Sequence, residues 1–592
     1  MPILLPQHLI PSAPPKAPPV TIGVFLTLEQ FGGIRATIAD LMAELVKLKR
    51  SDVIRWVAAI SVRLAEPNGL APERQREMAR QLLSDDVIAG LNKWLQNGQD
   101  SNWVLFHRRQ MWLLLQMAVV ACKEDTGACD DPTMAKALGR VSLMVNDVLH
   151  AIEPQHDGEE WKTNYHYCFV PTIIPKLDQV DRMEVLARAY EFWFDLPKTP
   201  AIAERLHQCK AQEFASAFET KYALSLERFY LIALSLWSGF QNHANNNASP
   251  LLLDSDEYLV PHFGKDDTAR AMAVLSQSPD QLACDLFSQP RQNWAVDSSL
   301  LKKNPVIEVF PGRYACPDIG NLHRYLTDGI YFLLQDAYGA DRFRQVFGYL
   351  FEAYINGLIG QFGIESDVLS RTFWPSPKFV GTNDQACDGL LHDRDLALVM
   401  EYKARLLTTR EKYAGIPEVT WKGIEDILAK NVSGGKKGAF QLASSIGRML
   451  TGASIMSGKS EFCPTDKTTI IPVLVAYESA IGLGSIRRWG DGKMRDALKK
   501  DGVDPARVGP LLILTIHDIE VLEALAHKNQ WVDMIRGYAK YVQDHPDDPM
   551  ATFGIFLSKN NFQSENPGTS FLSKAFSNAM KFAEQHLPER TC

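Results

Sequence analysis

The sequence offers little to disulfide or zinc chemistry. Its nine cysteines are scattered over 592 residues, odd in number and without a CxxC pair. Cys122 and Cys129 are the nearest two, and no histidine cluster accompanies them. Such usage suits reduced thiols that act as small buried apolar side chains, not a disulfide framework or a structural metal. Long hydrophobic runs are also missing. The most apolar helical stretch, around Trp112 to Cys122, is too short to span a bilayer and follows His107-Arg108-Arg109. The opening MPILLPQHLIPSAPPKAPPV carries no basic leader followed by an apolar core and a cleavage site, so no signal peptide is expected. Excess positive charge is absent too. A net charge of −8 argues against a surface coated for nonspecific nucleic-acid binding, while leaving room for a local basic groove. A globular, cytoplasmic protein outside the membrane is expected.

Several catalytic signatures are likewise lacking. There is no GxSxG elbow, no HExxH, and no GxGxxG placed after a strand. The loop Ser433-Gly434-Gly435-Lys436-Lys437-Gly438 lacks the GxxxxGK[ST] spacing of a phosphate-cradling loop, so no nucleotide-hydrolysing motor is expected. The first half also lacks the Arg-x4–6-His pair of one common class of helical ribonucleases.

What is present divides the chain into four. Residues 1–26 are proline-rich and read as an extended arm or a flexible tail. Residues 27–304 read as helix after helix, as in the one-face spacing of Ile34, Ile38, Leu41, Met42 and Leu45. Here strand-like alternation is almost absent, so an all-α region is expected. The run Gln241 to Asn247 reads as a polar loop and hinge. Residues 305–545 change to a mixed pattern. A small hairpin is expected over Val306–Phe310 and Arg313–Ala315, then helices over 322–338 and 341–362. A hairpin, a helix from Ala439 to Leu450 and strands over 469–476 and 510–516 complete an α/β unit with a central mixed sheet. Residues 546–592 read as a short appended segment.

The most informative stretch is Asp388 to Lys403, DGLLHDRDLALVMEYK. Leu396 to Met400 is continuously apolar, as expected of a strand buried on both faces, and it ends in Glu401-Tyr402-Lys403. Strand side chains alternate, so Glu401 and Lys403 share a face. Charges at the end of such a strand need a reason, because burying them unpaired is costly. If the two segments pair as a hairpin, Asp388 lies beside them. Two carboxylates and an ammonium can hold a hard divalent cation and poise a water against a phosphodiester. Glu352 lies in an otherwise apolar helix; it is either part of this group or a surface residue paired with Arg344 or Lys378. Gln441, near the start of the next helix, is either part of the site or an exposed amide. Residues 401–450 hold nine Lys or Arg against five Asp or Glu. A second basic cluster, Arg487-Arg488-Trp489 with Lys493, Arg495, Lys499 and Lys500, could track a phosphate backbone, with Trp489 as a stacking platform.

On these residues the segment from about 340 to 520 resembles the PD-(D/E)XK nuclease superfamily, the restriction-endonuclease-like fold. The resemblance implies Asp388 and Glu401 as metal-binding acids and Lys403 as the lysine beside the attacking water. It makes Glu352 the acid of the first core helix, a further metal ligand, and Gln441 the glutamine of the following helix. Cys387 stands where the family's proline would be. Mg²⁺ or Mn²⁺ is the implied cofactor and nucleic acid, DNA or RNA such as tRNA, the implied partner. A helical region joined to such a nuclease resembles bacterial anti-phage or abortive-infection effectors, in which a protein trigger could act on the helices. A homodimer is plausible for this fold. The alternative is a catalytically inactive scaffold that binds nucleic acid or protein.

Overall fold

The structure, a computed structural model, describes residues 24–586 apart from 33–34, 67–68, 97–102, 125–130, 153–181, 209–213, 247–251, 290–293, 295–296, 365–370, 394, 414–415, 430–434, 527–530 and 561–570. It is mostly helical, with several small sheets and one larger mixed sheet. No helix among the described residues is long and apolar enough to cross a membrane. Most of the expected arm, 1–26, lies outside the described residues.

The expectation of an all-α region over 27–304 needs correcting. Short strands occur there: Val24–Phe25 pairs with Trp103–Val104, and Leu253–Asp254 and Ser276–Gln277 flank the hairpin Val306–Phe310/Arg313–Ala315. These strands are two residues long, too short for an alternation to register in the sequence. The expected hinge at 241–247 is helix as far as it is described, since Leu226–Asn246 is continuous. Gln241 is buried in it, which a solvent loop would not allow. The helical region breaks instead at Ala223, whose φ is +52°, between the helices Phe214–Tyr222 and Leu226–Asn246.

The larger sheet follows the helix α1 (Ala340–Ile364) and is built from β1 (Arg371–Pro375), β2 (Gly389–Asp393) and β3 (Leu396–Lys403). These three form an antiparallel meander. After α2 (Ala439–Leu450) comes β4 (Thr469–Ala476), then α3 (Gly484–Lys500), β5 (Leu512–Thr515) and α4 (Ile516–Ala526). The spatial order is β5-β4-β3-β2-β1, with β3, β4 and β5 parallel. Pro472, within β4, is tolerated because β5 begins to pair only at the next residue, Val473.

Alternation along β3 divides its side chains between two cores. Leu396, Leu398, Met400 and Tyr402 join Ile471, Val473, Leu512 and Leu514 against α1. Ala397 and Val399 join Ile470, Leu474 and Ile513 against α2 and α3. The strand is thus covered on both faces, as its apolar run implies.

Residue 304 is not a break in packing. Trp193, Phe218, Phe229 and Trp237 of the helical region lie in the same core as Phe343, Phe347 and the β3 face. The segment after 545 is also more than an appendage. Phe553, Phe556 and Phe582 enter that core, and Phe582 stacks on Phe194 with ring centroids 4.8 Å apart. One buried ion pair fastens the helical region to the sheet unit. Arg188 donates to both carboxylate oxygens of the fully buried Glu520 on α4, at 2.6 and 2.5 Å, and Tyr354 of α1 donates at 2.7 Å. Breaking such a pair leaves a charge without compensation. Arg188→Ala is therefore expected to cost about 3–5 kcal/mol on a denaturation curve. Tyr354→Phe, which removes one hydrogen bond, should cost only about 1–3 kcal/mol.

Candidate active site

The register of β3 decides what meets at its carboxyl end. Glu401 and Lys403 follow Ala397 and Val399 on the face covered by α2, and β4 and β5 end level with them through Lys403↔Ala476↔Thr515. Lys403 Nζ donates to Glu401 Oε1 at 2.6 Å and to Gln441 Oε1 at 2.9 Å. Glu401 is 6 % exposed, so the ammonium is its nearest source of compensation. Gln441 Oε1 also accepts from the Gly438 N–H at 2.9 Å, so a single amide oxygen caps α2 and holds the lysine. Gly438 has φ +46°, and a Cβ there would lie 2.5 Å from the Leu428 carbonyl oxygen, so only glycine fits this turn.

Asp388 stands one residue before β2 and opposite the end of β3. Its N–H donates to the Met400 carbonyl at 3.0 Å. Its carboxylate continues the ladder: Oδ2 accepts the Tyr402 N–H at 2.7 Å and Oδ1 accepts from Gln385 Nε2 at 2.9 Å. Burial, and next the charge of Glu401, push the Asp388 carboxyl up to about 7, against the pull of the Tyr402 N–H and Lys403. The Cys387 thiol is pushed up by burial first, then by Asp388 and Glu401. The two acids therefore share a crowded negative field with one ammonium.

Glu352 stands apart from this contact set. Its Oε1 accepts from the Ser376 hydroxyl at 2.7 Å, and its Oε2 pairs with Arg205 at 3.2 Å. The partner is neither Arg344, which pairs with Asp341, nor Lys378. Arg205 comes from the helix Pro200–Gln208 of the helical region, and its guanidinium lies over Tyr349, 4.0 Å from the ring centroid. Ser376 joins the two acids, because its N–H also donates to the Asp388 carbonyl at 2.9 Å. It does so with φ +47°, a conformation costly for a residue with a Cβ. Sequence reasoning missed Ser376, Gln385 and Arg205. The Pro375-Ser376-Pro377 turn marked the first, whereas nothing local marked Arg205, distant in sequence.

The basic surroundings are mixed. Arg405 is committed to Glu411 and Asp426, and Lys412 to Glu478. Lys437 lies near Lys403, and burial followed by the charges of Lys403 and Arg405 lowers its proton affinity. Of the second cluster, Arg495 holds Asp491 and Arg487 is buried. Trp489 packs on Trp421, 5.6 Å between centroids, instead of standing free to stack a base.

Among the described residues no group of three or more His, Cys, Asp or Glu is arranged to hold a metal ion. Asp388 and Glu401 nonetheless suit a hard cation, which binds through one or two carboxylates and completes its shell with water and substrate oxygens. Such an ion would relieve the repulsion from Glu401, which comes second to burial in raising Asp388. No protein-family model matches the chain, and comparisons with curated proteins and with solved structures give no match.

Because the folded carboxyl titrates near 7, above its ordinary range, the native state holds a proton there that the unfolded chain has released. This contribution to stability is present at low pH and is lost as pH rises through about 7. Without divalent ions, the wild type should lose thermal stability between roughly pH 4 and 7, the span from the unfolded to the folded carboxyl. Asp388→Asn should flatten that part of the profile and melt higher than the wild type at pH 8.

Proposed function

We propose that the chain is a divalent-metal-dependent nuclease of the PD-(D/E)XK type, hydrolysing phosphodiesters in DNA or in RNA such as tRNA. The observation that carries this reading is the contact chain Asp388, Glu401, Lys403 and Gln441 at the carboxyl end of a doubly buried strand. The meander followed by a helix and a parallel strand supports it as well.

Asp388 and Glu401 would hold Mg²⁺ or Mn²⁺, which when bound supplies a Lewis acid for the phosphate and lowers the pKa of a nearby water. The chain's own groups do the remaining work. The backbone clamp on Asp388, through the Tyr402 N–H, fixes that carboxylate relative to Glu401. Lys403 Nζ, oriented by Gln441 Oε1, places a full positive charge where negative charge grows on the attacking and phosphoryl oxygens. Lys437 adds positive potential at the same end for the substrate backbone. Glu352, paired with Arg205, sets the orientation of Ser376 and thereby of the Asp388 turn. In this reading the helical region controls the site, and an anti-phage or abortive-infection role, a protein trigger and a homodimer are its biological extension. The catalytically inactive scaffold has one observation in its favour, the engagement of Glu352 by an arginine instead of by the other two acids.

Purified protein incubated with Mg²⁺ or Mn²⁺ and duplex DNA, single-stranded DNA, messenger-like RNA or total tRNA should cleave at least one of them. Lys403→Ala, Asp388→Asn and Glu401→Gln should each lose about 10²-fold or more, as expected for loss of charge stabilisation at the reacting group. Glu352→Gln should lose less. Equal cleavage by all variants would reject the site. Divalent ions should also raise the melting temperature more at pH 8 than at pH 6, because Asp388 must lose its proton to bind them. A scaffold would show neither cleavage nor this metal dependence.

A further inference from the structure

Helix α3 begins at the carboxyl edge of the parallel strands, after the short helical turn Ser479–Gly482 that follows β4. Its first turn, Gly484-Ser485-Ile486-Arg487, is buried throughout. The opening N–H groups of an α-helix have no partner within it and are ordinarily met by a capping side chain or by water. Here the residue before the helix is Leu483, and no side chain caps it. Among the described residues no backbone acceptor reaches the N–H of Gly484, Ser485 or Ile486 from another segment. A buried, uncapped N-terminus of a 17-residue helix is a concentration of partial positive charge without an answer.

Two side chains of the same turn have the same deficit. Ser485 is 1 % exposed, and its Oγ has no hydrogen-bond partner. Arg487 is 4 % exposed, its Nε has none, and among the described residues it enters no ion pair. Arg487 feels the charge of Tyr538, whose hydroxyl donates to the Ala551 carbonyl at 3.2 Å, so it lies near the 548–551 segment that packs against Gly484. The nearby acids are occupied. Asp491 accepts from Arg495 Nε at 2.7 Å and from the Leu511 N–H at 2.8 Å. Asp547 pairs with Arg488, and Asp548 accepts the Met550 N–H at 2.9 Å and the Tyr541 hydroxyl at 3.5 Å. Burial lowers the proton affinity of Arg487, against the opposing pull of Tyr538 and Asp491. Covering the turn is the backbone of 548–551, which runs so close that a Cβ on Gly484 would lie 2.7 Å from the Asp548 carbonyl oxygen.

We propose that the first turn of α3, with Ser485 and Arg487, is a binding site for a phosphate-sized oxyanion, either inorganic phosphate or the phosphoryl group of a small phosphorylated molecule. A tetrahedral oxyanion can accept at once from helix N–H groups, a hydroxyl and a guanidinium, and the first-turn N–H groups, the Ser485 hydroxyl and Arg487 Nε are the donors left unmet here. The enclosure by 548–551 and α3 excludes a nucleic-acid strand, whose phosphates are bridged on both sides, and favours a free or terminal phosphate. The inference does not rest on the nuclease reading.

The test is a thermal melt of the full chain titrated with inorganic phosphate, with chloride at matched ionic strength as control and a nucleoside monophosphate in a parallel series. Wild type should show a saturable rise in Tm of roughly 2–6 °C, as selective binding to the native state requires. Arg487→Met should lose the response, and Arg487→Lys, which keeps the charge without the fork, should weaken it at least several-fold. Lys403→Ala should keep it, which separates this site from the acid cluster. A phosphate response without a nucleotide response would assign free phosphate; both together would assign a phosphoryl group on a small molecule. No saturable response in the wild type beyond that of chloride overturns the proposal. So does an undiminished response in Arg487→Met.

Discussion

Strand β3 is covered on both faces, and the period of two along it determines almost everything at the candidate site. Once Leu398, Met400 and Tyr402 are committed to the α1 side, Ala397, Val399, Glu401 and Lys403 have no choice but the α2 side. A slip of one residue would exchange the two sets, bringing Glu401 and Lys403 into the aromatic core around Phe347 and Phe351. The register is therefore held by the apolar residues, and the charges are carried to the strand's end by a packing decision made earlier in it. Asp388 arrives by the same logic, since the antiparallel pairing Met400↔Gly389 leaves the residue before β2 opposite the end of β3.

The same core shapes what regulation can look like. Aromatic residues from Arg182–Asp195 and Leu226–Asn246 pack with Phe343, Phe347 and the β3 face, so the helical region is not a loosely tethered neighbour of the sheet. Moving the two apart as rigid bodies would expose this shared core and separate Arg188 from Glu520. Smaller movements are cheaper. The helix Pro200–Gln208 has only Leu206 fully buried, and its Arg205 reaches Glu352 with a side chain that is 43 % exposed. A contact of that kind is worth little in stability. It can form and break without disturbing the core, and it lies two hydrogen bonds from Asp388 through Ser376.

Much of the sheet unit was legible in the sequence. The Ala439–Leu450 helix and the Thr469–Ala476 strand were readable to the residue, because apolar periodicity and length both favour one assignment. The hairpin containing Asp388 and Glu401 was readable for the same reason, and with it the meeting of both acids with Lys403 and Gln441. Harder features depended on distance in sequence. The two-residue strands carry no periodic signal, and the continuation of helix Leu226–Asn246 through a run of asparagines depends on burial of Gln241, a tertiary fact. Arg205 was invisible because its partner lies well over a hundred residues away. The basic run at Arg487 misled for a related reason, since sequence shows charge but not whether a folded chain will bury it.

Charge balance at the carboxyl edge of the sheet draws these features together. Asp388, Glu401 and Glu352 face Lys403 and Arg205, and the surplus negative charge adds to burial, the larger cause, in lifting Asp388 toward neutral pH. A single divalent cation would turn that deficit into an excess of positive charge, to which Lys437 adds, and an anionic substrate could then be held where none could be before. At the same edge, α3 has the opposite imbalance: an uncapped first turn with Ser485 Oγ and Arg487 Nε unmet. Neither imbalance helps the chain to fold, since unmet buried charge and unmet donors both oppose it. On the two readings proposed above, these costs would be met by ligands of opposite sign, a cation for the acids and an oxyanion for the helix.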